Sequence, residues 1–419
     1  MTPPRRRVAA RDGAGVLEAA ALAAEHAESL VLSAARDIHT SVSGRVHGVL
    51  GLVSGRRTVG RRHGGIAGAV YGGIGLGLKA SALGLRKADQ FGVGGPIERS
   101  PRGRFVVSAV NGLIGDRLVA EGSALAIETG VRMDGRDVPL DGDGLRAAYP
   151  QASDALVVFV HGLCETEQYW DRRSRPRPAD RSSAPSYGAR LASDEGWTPV
   201  FVRANTGLTI AESGVALSSV LTRLVDAWPT EVRRIALVGH SMGGLIARAA
   251  CAVSTSDDRD WTERVTDVVL LGAPHLGSPV ERTIARGVRT ANKVPELAPF
   301  ARIFEQRSVG VLDLHDGPAD EIAHVPHARY HLVAATLTRS PRHPLAATVG
   351  DLLVPYRSAA GLLPDGSEIF PGADVLHVPG ADHFDLLNHD DVYSALRSWL
   401  ADSRLGPPPQ QRRRTENTA

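Results

Sequence analysis

Six short apolar runs recur through the middle and C-terminal parts of the chain: Leu156 to Val160, Thr198 to Val202, Ile235 to Val238, Val268 to Leu271, Tyr330 to Ala335 and Val375 to Val378. They lack the apolar–polar alternation of a half-exposed strand, so each is expected to be a strand buried on both faces. Helix-like stretches separate them, with apolar residues at helical spacing in Ile210 to Val225 and Val392 to Leu400. Strands and helices in alternation predict an α/β fold, a mainly parallel central sheet flanked by helices. Reactive residues are then expected beyond the carboxyl ends of the strands.

The pattern divides the 419 residues into a helical, Gly/Ala-rich region over 1–104, a connecting segment over 105–150, a main domain over 151–403 and a tail over 404–419. Gly15 to His39 reads as an Ala-rich amphipathic helix with a solvent face. Between Gly60 and Leu85, Gly60, Gly64, Gly68 and Gly72 recur every fourth residue, which on a helix makes a smooth stripe for close backbone approach. Three uses are open to that stripe: self-association or packing on another helix, attachment to a membrane surface, or a membrane span. Polar breakers at Pro101 to Arg104 separate this block from the connecting segment, and the turn-rich patch Asp134 to Gly144 suits a hairpin leading into the main domain. Two insertions interrupt that domain. Asp171 to Gly188, rich in Arg, Ser and Pro, reads as a solvated loop or an acidic-ligand contact. The stretch 279–326 has helical spacing and reads as a lid over an apolar chain or as a plain helical excursion. The Pro- and Arg-rich tail has nothing to bury and is expected to be disordered.

Composition excludes several classes. A formal net charge of +2 with 22% charged residues carries no global basic balance, so no nucleic-acid partner is expected. Two cysteines, Cys164 and Cys251, form no disulfide framework, and two reduced thiols in a cytosolic protein is the simpler reading beside a single bridge. No Cys/His cluster has ligand spacing, so no metal is expected. Met1 to Gly13 lacks an apolar core of signal-peptide length, which points to a cytoplasmic protein, with membrane association left to the glycine stripe.

The chemistry gathers at the ends of the apolar runs. Gly239-His240-Ser241-Met242-Gly243 lies between a strand and a helix, so Ser241 is expected on a sharp turn, with Gly239 and Gly243 keeping side chains clear of it. A serine hydroxyl needs a base, and the base a carboxylate that sets its tautomer. His383, in Gly380-Ala381-Asp382-His383-Phe384, follows the last strand and is the expected base. Asp351, in Gly350-Asp351-Leu352-Leu353-Val354-Pro355, is preferred as the acid over Asp374, Asp382 and Asp385, because it follows one strand and precedes the histidine strand. Leu156 to Val160 runs into His161-Gly162-Leu163, so the backbone amides of Leu163 and Met242 are assigned as the oxyanion hole.

Six segments taken in order resemble the α/β-hydrolase superfamily. They are VVFVHGLCET, RANTGLTIAESG, GHSMGGLIAR, LLGAPHLGSP, GDLLVP and GADHFDLL, spread from about Ala155 to Leu400. More narrowly, they are similar to lipases and esterases with a His-Gly oxyanion turn, including bacterial proteins similar to the GPI inositol-deacylases. The resemblance implies hydrolysis of a small-molecule or lipid carboxylic ester through an acyl-enzyme, without a cofactor. An acyltransferase or thioesterase would use the same triad, and a scaffold that keeps the fold without turnover is the alternative of another class. Substrate choice does not follow, because one scaffold serves many chemistries.

Overall fold

The computed structural model describes residues 98, 100–171, 185–253, 261–277, 324–343, 346 and 350–402. Gly15 to His39, the glycine stripe Gly60 to Leu85, most of the 279–326 insertion and the tail from 404 lie outside the described residues, as do residues 172–184. The chain divides into two compact units, and the described residues up to Ile127 belong to one and those from Glu128 onward to the other.

Eight strands form one sheet in the second unit: β1 (Gly130–Met133), β2 (Arg136–Asp137), β3 (Ala155–Val160), β4 (Thr198–Arg203), β5 (Arg234–His240), β6 (Val265–Leu271), β7 (Arg329–Thr336) and β8 (Asp374–Pro379). Their order is β2-β1-β4-β3-β5-β6-β7-β8. From β4 to β8 every pairing is parallel, and β1 is antiparallel to both β2 and β4. The six expected strands are all present and β1 and β2 are additions, but β8, which closes the other edge of the sheet, is not buried on both faces: Asp374, Val375 and Pro379 are exposed, because an edge strand has a neighbour on one side only. Gly130–Met133 and Arg136–Asp137 are too short and polar to stand out as apolar runs. Asp134 and Gly135 turn the chain between them with φ of 50° and 75°, so the first half of this patch forms a hairpin that extends the sheet. Asp141 to Gly144 does not continue it: Asp141 caps the helix Gly142–Ala148, its carboxylate accepting from the Asp143 and Gly144 amides.

Strand β3 shows why continuous apolar runs mean burial on both faces. Leu156, Val158 and Val160 pack into one core with the helices Ile210–Ala227 and Met242–Val253. Ala155, Val157 and Phe159 pack into the other with Tyr187–Glu195 and Asp390–Asp402. The two helices on the first face approach closely, because a methyl group on Gly214 would lie 2.6 Å from Ala249 Cβ. Thr209 and Glu212 close a capping box at the start of Ile210–Ala227.

In the first unit the helix Pro101–Ala120 opens on Ser100, whose hydroxyl accepts from the Gly103 amide. Pro101 to Arg104 is therefore the first helical turn, not a break; proline suits that place because its missing N–H is one a helix start leaves unpaired anyway. Buried Asn111 fastens the helix to the segment after it. Its Nδ2 donates to the carbonyls of Val107 and Leu125, and its Oδ1 accepts from the Ile127 amide. Among the described residues no helix is long and apolar enough to cross a membrane.

Candidate active site

Four strand ends meet at the carboxyl edge of the sheet. Strand β5 ends at His240, and Ser241 follows with φ of 53°, a left-handed conformation costly for a residue with a Cβ. Two contacts hold it there: the Ser241 amide donates to the Leu271 carbonyl of β6, and the Gly244 amide donates back to the Ser241 carbonyl. The turn leaves no room for side chains on its flanks. A methyl group on Gly239 would overlap the Gly244 backbone, and one on Gly243 the carbonyls of Val160 and His161.

After β7 the chain reaches Asp351, which is fully buried. Its Oδ1 accepts from the amides of Leu353 and Val354, and its Oδ2 accepts from His383 Nδ1 at 2.7 Å. The His383 amide also donates to the Asp351 carbonyl. The other three carboxylates are engaged elsewhere. Asp382 and Asp385 cap the turn His383–Leu387, and Asp374 accepts from His331 at the far end of β8. His383 Nε2 is buried and has no hydrogen-bond partner, so no bond joins it to Ser241. The two segments are nonetheless adjacent, since the ring of His240, next to Ser241, lies 4.6 Å from the His383 ring.

The turn after β3 lies against Ser241: a Cβ placed on Gly162 would come within 3.0 Å of the serine Cβ. Hydrogen bonds set the direction of the Leu163 amide. The Gly162 carbonyl accepts from His161 Nδ1 at 2.9 Å and from the Glu165 amide at 3.2 Å. In a trans peptide the following N–H points the opposite way. The neighbouring amides are occupied, Gly162 donating to Glu165 Oε2 and Cys164 to Thr206 Oγ1, whereas no described group accepts from Leu163. Met242 opens its helix, where an amide has no helical carbonyl one turn earlier.

Three side chains of this site carried no expectation from the sequence: His161, Glu165 and His240. His161 Nε2 accepts from the Ala204 amide, which leaves the proton on Nδ1, and burial holds the ring below its ordinary pKa. His240 Nε2 lies 3.1 Å from the His383 carbonyl, so that nitrogen donates, while Nδ1 lies 3.0 Å from Glu165. Burial opposes charge on both partners, but their attraction outweighs it, raising His240 above 6.5 and lowering Glu165 below 4.5. The available signal was an acid three residues past His-Gly and a histidine just before the serine. A second acid of the same loop, Glu167, pairs with buried Arg203 at the end of β4 at 3.0 Å. Cys164 is a poor rival nucleophile, since burial pushes its thiol up to about 11.

The His240–Glu165 pair carries a stability prediction. A raised histidine contributes fully below about 6.5 and loses its contribution as pH climbs through the folded value. A lowered carboxylate contributes fully above about 4.5 and loses it as pH falls through the folded value. The gap in thermal midpoint between wild type and Glu165→Gln is therefore expected to be widest between those limits and to narrow on both sides. A gap independent of pH would mean that the pair is not ionised. Among the described residues no group of three His, Cys, Asp or Glu is placed to hold a metal ion.

Residues 203–346, about a third of the chain, match the family described as PGAP1-like alpha/beta domain. No curated protein matches the sequence. Among solved structures, a mature lipase from Bacillus licheniformis is 18% identical with a TM-score of 0.39, over 65% of this chain and 96% of that one. An esterase from Pyrococcus furiosus is 17% identical with a TM-score of 0.37, over 60% and 82%. A lipase from Staphylococcus hyicus is 13% identical with a TM-score of 0.36, over 60% and 96%. The fold rests on the strand order and pairing given above.

Proposed function

We propose that this chain, an α/β-hydrolase by fold, is a serine hydrolase that cleaves carboxylic esters, with acyl esters of lipids or small molecules as the substrate class. One observation carries the reading: a buried carboxylate accepts a hydrogen bond from His383 Nδ1 at 2.7 Å, which leaves Nε2 without a partner in a loop packed against that of a serine on a left-handed turn. In this mechanism Ser241 Oγ adds to the ester carbonyl as its proton passes to His383 Nε2. The carbonyl oxygen becomes an oxyanion facing the amides of Leu163 and Met242. The tetrahedral centre then collapses, the alkoxide departs with the proton from His383, and Ser241 is left acylated. Water repeats the two steps, giving its proton to His383 and releasing the acid. Asp351 steadies the imidazolium in both halves. The hydrogen bond between Ser241 and His383 is expected to form in the reaction complex, as catalytic hydrogen bonds commonly tighten there.

Treatment with a fluorophosphonate, followed by peptide mapping, tests this directly. A single adduct on Ser241 is expected, together with turnover of p-nitrophenyl acyl esters. A folded protein that neither labels nor hydrolyses any ester of the series would overturn the reading in favour of a scaffold.

A further inference from the structure

We propose that Glu165 and His240 are positioning residues that keep the Leu163 amide and the His383 ring in register, an assignment that rests on the hydrolase reading above. The Glu165 carboxylate is a buried junction. On one side it accepts from the amide of Gly162, one residue before Leu163; on the other it accepts from His240 Nδ1. Across the imidazole, Nε2 donates to the backbone carbonyl of His383. One chain of three hydrogen bonds therefore runs from the oxyanion turn after β3, under the serine, to the loop after β8. Glu165 and His240 are 4% and 0% exposed, so no water competes for these bonds. Neither side chain is hydrogen-bonded to His383 Nε2, and a shift in either would move both the oxyanion donor and the base. Trp170 and Phe384 pack on the His240 ring at 6.4 and 6.2 Å and limit its rotation.

The two simplest replacements of Glu165 separate this role from bulk support. Glu165→Gln keeps the whole chain: the amide oxygen accepts from Gly162, the amide nitrogen donates to Nδ1 of a neutral His240, and Nε2–H still reaches His383. Glu165→Ala removes the junction. With p-nitrophenyl acetate and rates normalised to folded protein, the alanine variant is expected to lose about a hundredfold in kcat with KM within about threefold, as when partners that orient a reacting group are removed. The glutamine variant is expected to stay within about threefold in kcat. If the alanine variant does not fold, Glu165→Met, of similar volume and without an acceptor, takes its place. An alanine or methionine variant with near wild-type kcat, or a glutamine variant that falls as far as alanine, overturns the assignment while labelling of wild-type Ser241 leaves the hydrolase reading standing. A wild type that does not label removes both.

Discussion

Ser241→Ala is expected to reduce ester turnover by about 10⁵-fold, to the background rate, and to abolish fluorophosphonate labelling, because the acyl-enzyme has no other oxygen on which to form. Nearby alternatives are unsuited: the Cys164 thiol is pushed up to about 11 by burial, and its amide is already tied to Thr206. The substitution removes one oxygen from a half-buried position, so the thermal midpoint should barely change. A variant retaining more than about a hundredth of wild-type kcat would show that the chemistry runs through a different group. The left-handed φ of 53° adds a second readout. Glycine adopts that conformation without penalty, so Ser241→Gly should be as inactive as alanine yet more stable than wild type by about 1 kcal/mol. Stability would then be given up at this residue in return for reactivity, which only a functional turn explains.

Asp351→Asn is expected to cost about 10⁴-fold in kcat while leaving the protein folded. The backbone decides which way the new amide faces. The Leu353 and Val354 amides require an oxygen at the Oδ1 position, so the asparagine nitrogen must point at His383 Nδ1. That nitrogen can only donate, which forces Nδ1 to accept and moves the histidine proton to Nε2. A ring protonated at Nε2 cannot take the serine proton, although every distance is kept. Measured kcat on a short acyl ester, with the thermal midpoint as the control for folding, checks this. A loss below about tenfold would transfer the acid's role to another carboxylate, and Asp374, Asp382 and Asp385 are each committed to other donors.

Much of this architecture is legible in local pattern. The strands inside the sheet stand out because a strand covered on both faces must be apolar throughout, as Ala155–Val160 is, whereas β8 is apolar in its middle yet largely exposed at the sheet edge. The serine turn stands out because Gly239 and Gly243 sit where backbone crowds in from Gly244, Val160 and His161, a need written into five adjacent residues. Short or distant features stay hidden. The strands β1 and β2 are brief and polar; β1 forms on the open edge of β4, and β2 on that of β1. The start of the helix Pro101–Ala120 reads as a break, since proline and arginine interrupt a pattern whether they stop a helix or begin one. Four aspartates compete as partner to His383, and sequence can rank them only by place. Asp351 alone meets the ring because the amides of Leu353 and Val354 aim its carboxyl group.

Residue type and order along the chain thus specified the layered α/β scaffold and the positions of the loops that carry Ser241, Asp351 and His383, since burial and turn geometry act over a few neighbouring residues. Folding in three dimensions decided the Leu163 amide direction, the Asp351–His383 bond and the joining of Glu165 to His240, 75 positions further along the chain. Those depend on ångström distances between strand ends, which no periodicity encodes.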